Sequence, residues 1–371
     1  MNNRGFILKK YLYRKELESF EPNIPEKSIK EIKKELNLQE IIRLNSNENT
    51  IGPSPKAVEA IKKELINVNF YPDGLSSEIR VKLSEIYNIS AENIIVSNGA
   101  DNIIVLIGQA FLNRDEEVII GDPSFPVYES ITNLLGAKMV KVPLKEYKFD
   151  LDSIYRNITN KTKMIIICNP NNPTGTILTK EELEEFMDKV PKDIIIVLDE
   201  AYCDFVTNSE YPNGLDYVKK NKNIIVVRTF SKILGLAGLR IGYAIAPKSL
   251  IGYLYIVLEP FPVNRLAQVG VVAALDDTEY YKNVLDNNKK GKEYLYNELK
   301  KMNLFYVPTE ANFIFLKIKI DSNILYKKLL RKGIIVAQGS IWGYPKFVRV
   351  TIGRSRENKE FINALREILG K

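Results

Sequence analysis

The sequence predicts an α/β protein: a large, doubly wound, mostly parallel-sheet domain followed by a smaller α+β domain. Three observations lead there. Five short runs are apolar at every position and rich in Ile and Val: Ile94–Val96, Val118–Ile120, Met164–Ile167, Ile194–Leu198 and Ile224–Val227. Strands covered by helices on both faces have this composition, whereas half-exposed strands alternate. Helical patterns fall between the runs, as at Lys180–Val190, where Thr179 and Glu182 form a capping box. Polar residues cluster just after each run, and open α/β sheets bind ligands at the carboxyl ends of their strands.

In chain order, the first 50 residues read as a basic arm with a helical stretch from Ser28 to Leu36 and a segment of the smaller domain. No strand pattern occurs between Ile51 and Tyr87. The large domain is expected over residues 51–263. The smaller one is expected over 264–371, with strands at Phe313–Ile318 and Phe347–Ile352.

Composition narrows the function classes. The 371 residues are 45% hydrophobic and 27% charged, as expected of a globular chain that buries a sizeable core. The net charge of +7 is spread among glutamates, as in Lys27 to Glu35 and Lys289 to Lys301, so it reads as solvated helix faces and not as a nucleic-acid patch. Two cysteines, Cys168 and Cys203, lie in or beside apolar runs and read as reduced thiols of a cytoplasmic protein. No apolar run has membrane-spanning length, and Lys9 and Lys10 interrupt the start, Met1 to Tyr13, so no signal peptide is expected. The chain has no histidine. That removes Ser-His-Asp triads, Cys-His dyads and His-ligated metals, and no metal site is expected. Any proton shuttle must be a lysine, a carboxylate, a tyrosine or water.

The post-strand loops carry the chemistry. Thr229-Phe-Ser231-Lys232 sits eight residues before Arg240. A lysine in a weakly polar loop beside cationic charge is pushed toward its neutral form, which a Schiff base requires. Two hydroxyls and a planar guanidinium suit a phosphate group. Taken alone, Lys232 reads first as a solvated loop lysine, and the other segments are what turn the reading toward a Schiff base. Gly99-Ala100-Asp101 follows a strand and opens a helix, whose free N–H groups would hold phosphate oxygens, or simply be an N-capped helix start. Asp199 ends a buried strand and is a candidate partner for a pyridinium N–H, or a helix cap. Asn172 and Tyr202 are candidates for a cofactor hydroxyl. Phe125 could stack on a ring or pack in the core. Neither a GxGxxG nor a GxxxxGK[ST] motif is present, which removes the usual support for dinucleotide and P-loop readings.

Taken together, these segments resemble the fold-type I pyridoxal-phosphate (PLP) dependent aminotransferases, over nearly the whole chain. The order Gly99-Ala100-Asp101, Asn172-Pro-Thr-Gly175, Asp199-Glu-Ala-Tyr202, Ser231-Lys232, Arg240 and Arg349 is that family's order. Within it the chain resembles the histidinol-phosphate aminotransferase branch through Asn45-Ser-Asn47-Glu-Asn49, Gly52-Pro-Ser-Pro55, Tyr71-Pro-Asp-Gly74 and Phe230 to Arg240. The resemblance implies that Lys232 forms the Schiff base with PLP and that Asp199 pairs with the ring nitrogen. It implies Asn172 and Tyr202 on the ring oxygen and Phe125 on the ring face. Gly99, Ala100, Asp101, Thr229, Ser231 and Arg240 would hold the cofactor phosphate, with Tyr71 reaching in from the second subunit of a homodimer. Asn47 and Arg349 would meet the substrate. The implied activity is amino transfer between L-histidinol phosphate and 2-oxoglutarate, in histidine biosynthesis. Two positions depart from the branch: Ala337 stands where a second phosphate-binding arginine is usual, and Phe20 where a tyrosine is usual. The alternatives are an aromatic amino-acid aminotransferase and an enzyme of another small phosphorylated amine, including a phospho-amino-acid decarboxylase. A ligand-sensing regulator is a further alternative, but the arm shows no helix-turn-helix pattern.

Overall fold

A computed structural model describes residues 12–20, 28–220 and 222–370. The basic start with Lys9 and Lys10, and Glu21, Pro22 and Lys27, lie outside the described residues. The strands are β1 Ile42–Leu44, β2 Ile94–Ser97, β3 Glu117–Asp122, β4 Lys138–Pro143, β5 Thr162–Cys168, β6 Ile195–Asp199, β7 Ile224–Thr229, β8 Gly242–Ile245, β9 Tyr306–Val307, β10 Phe313–Lys317, β11 Ile334–Gln338 and β12 Phe347–Thr351.

The larger sheet has seven strands in the order β2-β8-β7-β6-β5-β3-β4. All five apolar runs of the sequence are in it. β6 shows why: every residue from Ile195 to Asp199 is buried, because helices cover both faces. Burying each such Ile or Val contributes about 1.5–3 kcal/mol relative to exposure. Two strands were not expected. β4 is an edge strand whose lysines stand in water, so it lacks a continuous apolar run. β8 is only four residues long and runs antiparallel to both neighbours, β7 and β2. The other six strands therefore share one direction, and their carboxyl ends lie on one edge. The helix at Lys180–Lys189 carries the Thr179–Glu182 capping box, and Ser28 with Glu31 forms another before Ile29–Glu35.

The smaller sheet has the order β1-β11-β12-β10-β9. β1, from the segment before the large sheet, pairs in parallel with β11, while β10 pairs antiparallel with β12. Ile42, Leu44, Ile314, Leu316, Val336, Val348 and Val350 form one face and pack with Leu295, Leu325, Phe361 and Leu365. The other face carries Phe313, Ala337, Arg349 and Thr351, and Phe313 packs into the larger core instead. The long helix Thr278–Lys301 touches both cores, through Tyr280 and Val284 at its start and Leu295 and Leu299 near its end. Among the described residues no helix is long and apolar enough to cross a membrane.

Candidate active site

The carboxyl ends of β2, β5, β6 and β7 open onto one cavity of about 440 Å³. Asn45 to Glu48, which follow β1, and Arg349 of β12 close it from the smaller sheet. Of the residues singled out in the sequence, Asn47, Ala100, Asp101, Phe125, Asn172, Asp199, Tyr202, Thr229, Ser231, Lys232, Arg240 and Arg349 line this cavity.

Lys232 is half-buried and donates from Nζ to the Ser46 carbonyl at 3.0 Å. Burial, and then the like charge of Arg349, push its ammonium down to about 8, against the pull of Asp101 and Glu48. About a tenth is therefore neutral at pH 7, far more than for a lysine in its ordinary range. The nitrogen lies 5.9 Å from the centre of the Tyr202 ring.

Asp199 is buried at the end of β6. Tyr128 donates its hydroxyl to Oδ2 at 2.6 Å, and the Ala201 N–H donates to Oδ1 at 3.0 Å. Burial outweighs these bonds and pushes the carboxyl up to about 6. A carboxylate held this way has room for a cationic N–H donor, which would relieve the cost of its charge.

Tyr202 accepts from Asn47 Nδ2 at 3.0 Å and from Asn172 Nδ2 at 3.4 Å, so its hydroxyl is fixed inside the cavity. Asn172 Oδ1 accepts from Arg349 Nη1 at 2.5 Å, and Arg349 Nη2 donates to the Asn45 carbonyl. Arg349 lies between the Trp342 and Phe313 rings, 5.0 and 5.4 Å from their centres. It is buried, and among the described residues its Nε has no hydrogen-bond partner. Burial lowers it to about 10, which Tyr202 only partly offsets. A buried guanidinium without a carboxylate partner is a costly arrangement that an acidic ligand would repair.

The opposite end of the cavity collects anion donors. The helix Ala100–Phe111 begins with no side chain capping its first N–H groups. Its N-cap, Gly99, has φ +91°, and a Cβ there would sit 3.0 Å from Arg240 Nη2. Glycine therefore lets the guanidinium approach the helix start. Arg240 also reaches Asp101 at 3.3 Å, and the buried hydroxyls of Thr229 and Ser231 lie alongside.

Tyr71 is the predicted site residue that stands apart. It is 78% exposed, stacked on Phe261 at 4.7 Å, and does not line the cavity. Gly99 acts through its backbone behind the lining residues, Phe20 is half-buried and not among them, and Ala337 pairs with Arg349 across β11 and β12. The sequence reading missed Tyr128, Asn45, Glu48 and Trp342. Tyr128 and Asn45 act through contacts between distant segments, with Asp199 and Arg349, whereas Trp342 reaches Arg349 from seven residues away.

These features define an enzyme fold with a lysine-centred site, and comparison with known proteins agrees. The chain belongs to the aminotransferase class I and II family, which matches residues 39–365. It is 45% identical to a histidinol-phosphate aminotransferase of Moorella thermoacetica, covering 95% of this chain and 91% of that one. It is 42% identical to histidinol-phosphate aminotransferase 2 of Carboxydothermus hydrogenoformans, covering 96% and 99%. Its fold matches that of the histidinol-phosphate aminotransferase of Sinorhizobium meliloti, solved in complex with pyridoxal-5'-phosphate, with a TM-score of 0.88 over 97% of this chain and 98% of that one, at 23% identity. The cavity fits this cofactor: an uncapped helix start, two hydroxyls and a guanidinium for a phosphate, a buried carboxylate for a ring N–H, and a lysine depressed toward neutrality.

Proposed function

We propose that the protein transfers an amino group between L-histidinol phosphate and 2-oxoglutarate, as a step of histidine biosynthesis, with PLP as cofactor. The observation that carries this is the placement of Lys232, Asp199 and Arg349 around one cavity, in a chain 45% identical to a histidinol-phosphate aminotransferase. When bound, PLP supplies an electron sink for the pair released at the substrate Cα. Ala100, Asp101, Thr229, Ser231 and Arg240 hold its phosphate, with Gly99 giving the close approach. Asp199, kept in place by Tyr128, holds the ring N–H. Asn172 and Tyr202 hold the ring oxygen, and Phe125 covers a face of the ring. Lys232 is the covalent anchor and, once released, the base that lifts the proton from the substrate Cα. Asn47 and Arg349 orient the substrate, with Arg349 gripping an acidic group.

A shared site in a homodimer belongs to the same reading. Ile66, Val68, Phe70, Tyr71, Ile256 and Phe261 are apolar or aromatic side chains on the surface, exposed by 46–83%. Exposed apolar surface of that kind favours a partner. Tyr71 would reach the phosphate end of the partner's cavity from there. The boundary expected at residue 264 would move to within the helix Thr278–Lys301, because Ala267, Val271 and Ala274 pack in the larger core and the two ends of that helix pack in different cores. The free thiols Cys168 and Cys203 suit a reducing cytoplasm.

One observation favours a second reading. Ala337 faces Arg349 across the strands, so among the described residues Arg349 is the one arginine lining that end of the cavity. An aromatic amino-acid aminotransferase would use Arg349 for the α-carboxylate alone. Steady-state kinetics with 2-oxoglutarate decides between them. The expected result is a larger kcat/KM for L-histidinol phosphate than for phenylalanine or tyrosine, and the reverse order would establish the second reading.

A further inference from the structure

The smaller sheet presents two arginines on the face turned away from its own core. Ile42 and Leu44 of β1 pair with Ile334 and Val336 of β11, and all four pack in the smaller core. Arg43 pairs with Ile335, so the pleat places it on the opposite face. Arg349 reaches that same face from β12, where its neighbours Val348 and Val350 turn into the core. β11 alone lies between the two arginine strands, and two strand spacings put those backbones about 10 Å apart. On β11, Ile335 stands opposite Arg43, and Ala337, two residues along, stands opposite Arg349 with only a methyl group.

Arg43 is not free. Its Nη2 is 2.5 Å from Glu48 Oε1, and Glu48 lines the cavity. The two side chains are 49% and 29% exposed, so the pair is open to solvent and touches the cavity through Glu48. Glu48 is also close enough to Lys232 to raise its affinity for a proton. The other cavity carboxylates are engaged elsewhere, Asp199 by Tyr128 and Asp101 by Arg240. An exposed ion pair of this kind is weak, so one carboxylate can replace another at little cost.

Resting on the aminotransferase reading above, we propose that Arg43 is a second anion-binding residue of the substrate pocket. Glu48 holds its place until an acidic group at the far end of a substrate displaces it. The substrates selected are amines and 2-oxo acids with a second anionic group, either a phosphate ester or a distal carboxylate. Neutral-tailed substrates leave the Arg43–Glu48 pair closed. The cation missing at Ala337 is thereby supplied one strand further out.

The test compares donors in the holoenzyme: L-histidinol phosphate, glutamate and phenylalanine. Arg43→Gln should lower the kcat/KM ratio of the acidic donors to phenylalanine by about 3- to 10-fold, through KM, and Arg43→Lys should restore most of it. Glu48→Gln should move the same ratio upward, because the competing carboxylate is gone. A response confined to histidinol phosphate assigns the residue to phosphate esters, and one confined to glutamate assigns it to distal carboxylates. Ratios unchanged in both Gln variants, or shifted in the same direction by both, would overturn the proposal. Absence of turnover with every donor in the unmodified protein would instead defeat the aminotransferase reading.

Discussion

Tyr128 donates its buried hydroxyl to Asp199 at 2.6 Å, and among the described residues no lysine or arginine stands within ion-pair distance of that carboxylate. The hydroxyl fixes the carboxylate without neutralising it. Burial therefore lifts Asp199 to about 6, above the ordinary carboxylate range.

A stability effect follows. A carboxyl whose folded pKa is raised stabilises the fold below its ordinary pKa, and that contribution is lost as pH rises through about 6. At pH 7 the ionised group costs the cofactor-free protein on the order of 2–3 kcal/mol. Asp199→Asn keeps an acceptor for the Ala201 N–H and lets the amide donate to Tyr128, without the charge. The cofactor-free variant is expected to melt higher than the parent at pH 7 and to match it near pH 4, while losing PLP readily and turning over poorly. Thermal melts of the two cofactor-free proteins check this; a variant less stable at pH 7 would remove the strained-carboxylate account.

Lys232 should show its lowered pKa in the rate at which it captures added PLP. Below pH 8 the neutral fraction, and with it the rate, should climb about tenfold per pH unit and then level off. A lysine in its ordinary range would still be accelerating above pH 9. Borohydride should fix the cofactor to the peptide containing Lys232, and Lys232→Ala should abolish that labelling.

How much of this was legible in the sequence depends on what fixes each residue. β5, β6 and β7 could be read because helices bury both faces, leaving uninterrupted Ile and Val. Asp199, Asn172 and Lys232 could be read because each ends such a strand or lies within four residues of its end. β8 could not, since Gly-Tyr-Ala-Ile is short and its direction is set by pairing with β7 and β2. β11 was not among the expected strands although it is apolar, and only Lys332 and Gly333 separate it from the helix Ser322–Arg331. Asn45 meets the guanidinium of Arg349 only through a contact across some three hundred residues of chain, which no local pattern records.

The loop that carries Lys232 is clamped at Gly235. Its φ is +69°, and a Cβ there would lie 2.5 Å from the Gly52 carbonyl and 2.6 Å from the Tyr280 hydroxyl. That hydroxyl donates to the Gly52 carbonyl and accepts from Asn49, whose amide also reaches the Ile233 carbonyl at 3.1 Å. Gly235→Ala should cost about 2–4 kcal/mol, since backbone must move. Tyr280→Phe should cost about 1–2 kcal/mol for its lost hydrogen bonds. Denaturant midpoints give both values, and a Gly235→Ala protein as stable as the parent would contradict the clamp.

Tyr71 tests the shared site. With its ring exposed and stacked on Phe261, the hydroxyl contributes nothing to its own cavity. Tyr71→Phe should nevertheless weaken PLP retention by roughly 0.5–1.5 kcal/mol, the worth of one hydrogen bond. Equilibrium dialysis measures the loss, and a protein that sediments as a fully active monomer would refute the contribution from a partner.

The most direct measurement mixes the holoenzyme with L-histidinol phosphate alone and follows the visible absorbance of the cofactor. The expected result is rapid loss of the band with one equivalent of oxo product per site, and its return on adding 2-oxoglutarate. A band that persists with histidinol phosphate but vanishes with phenylalanine or tyrosine would contradict the proposed substrate.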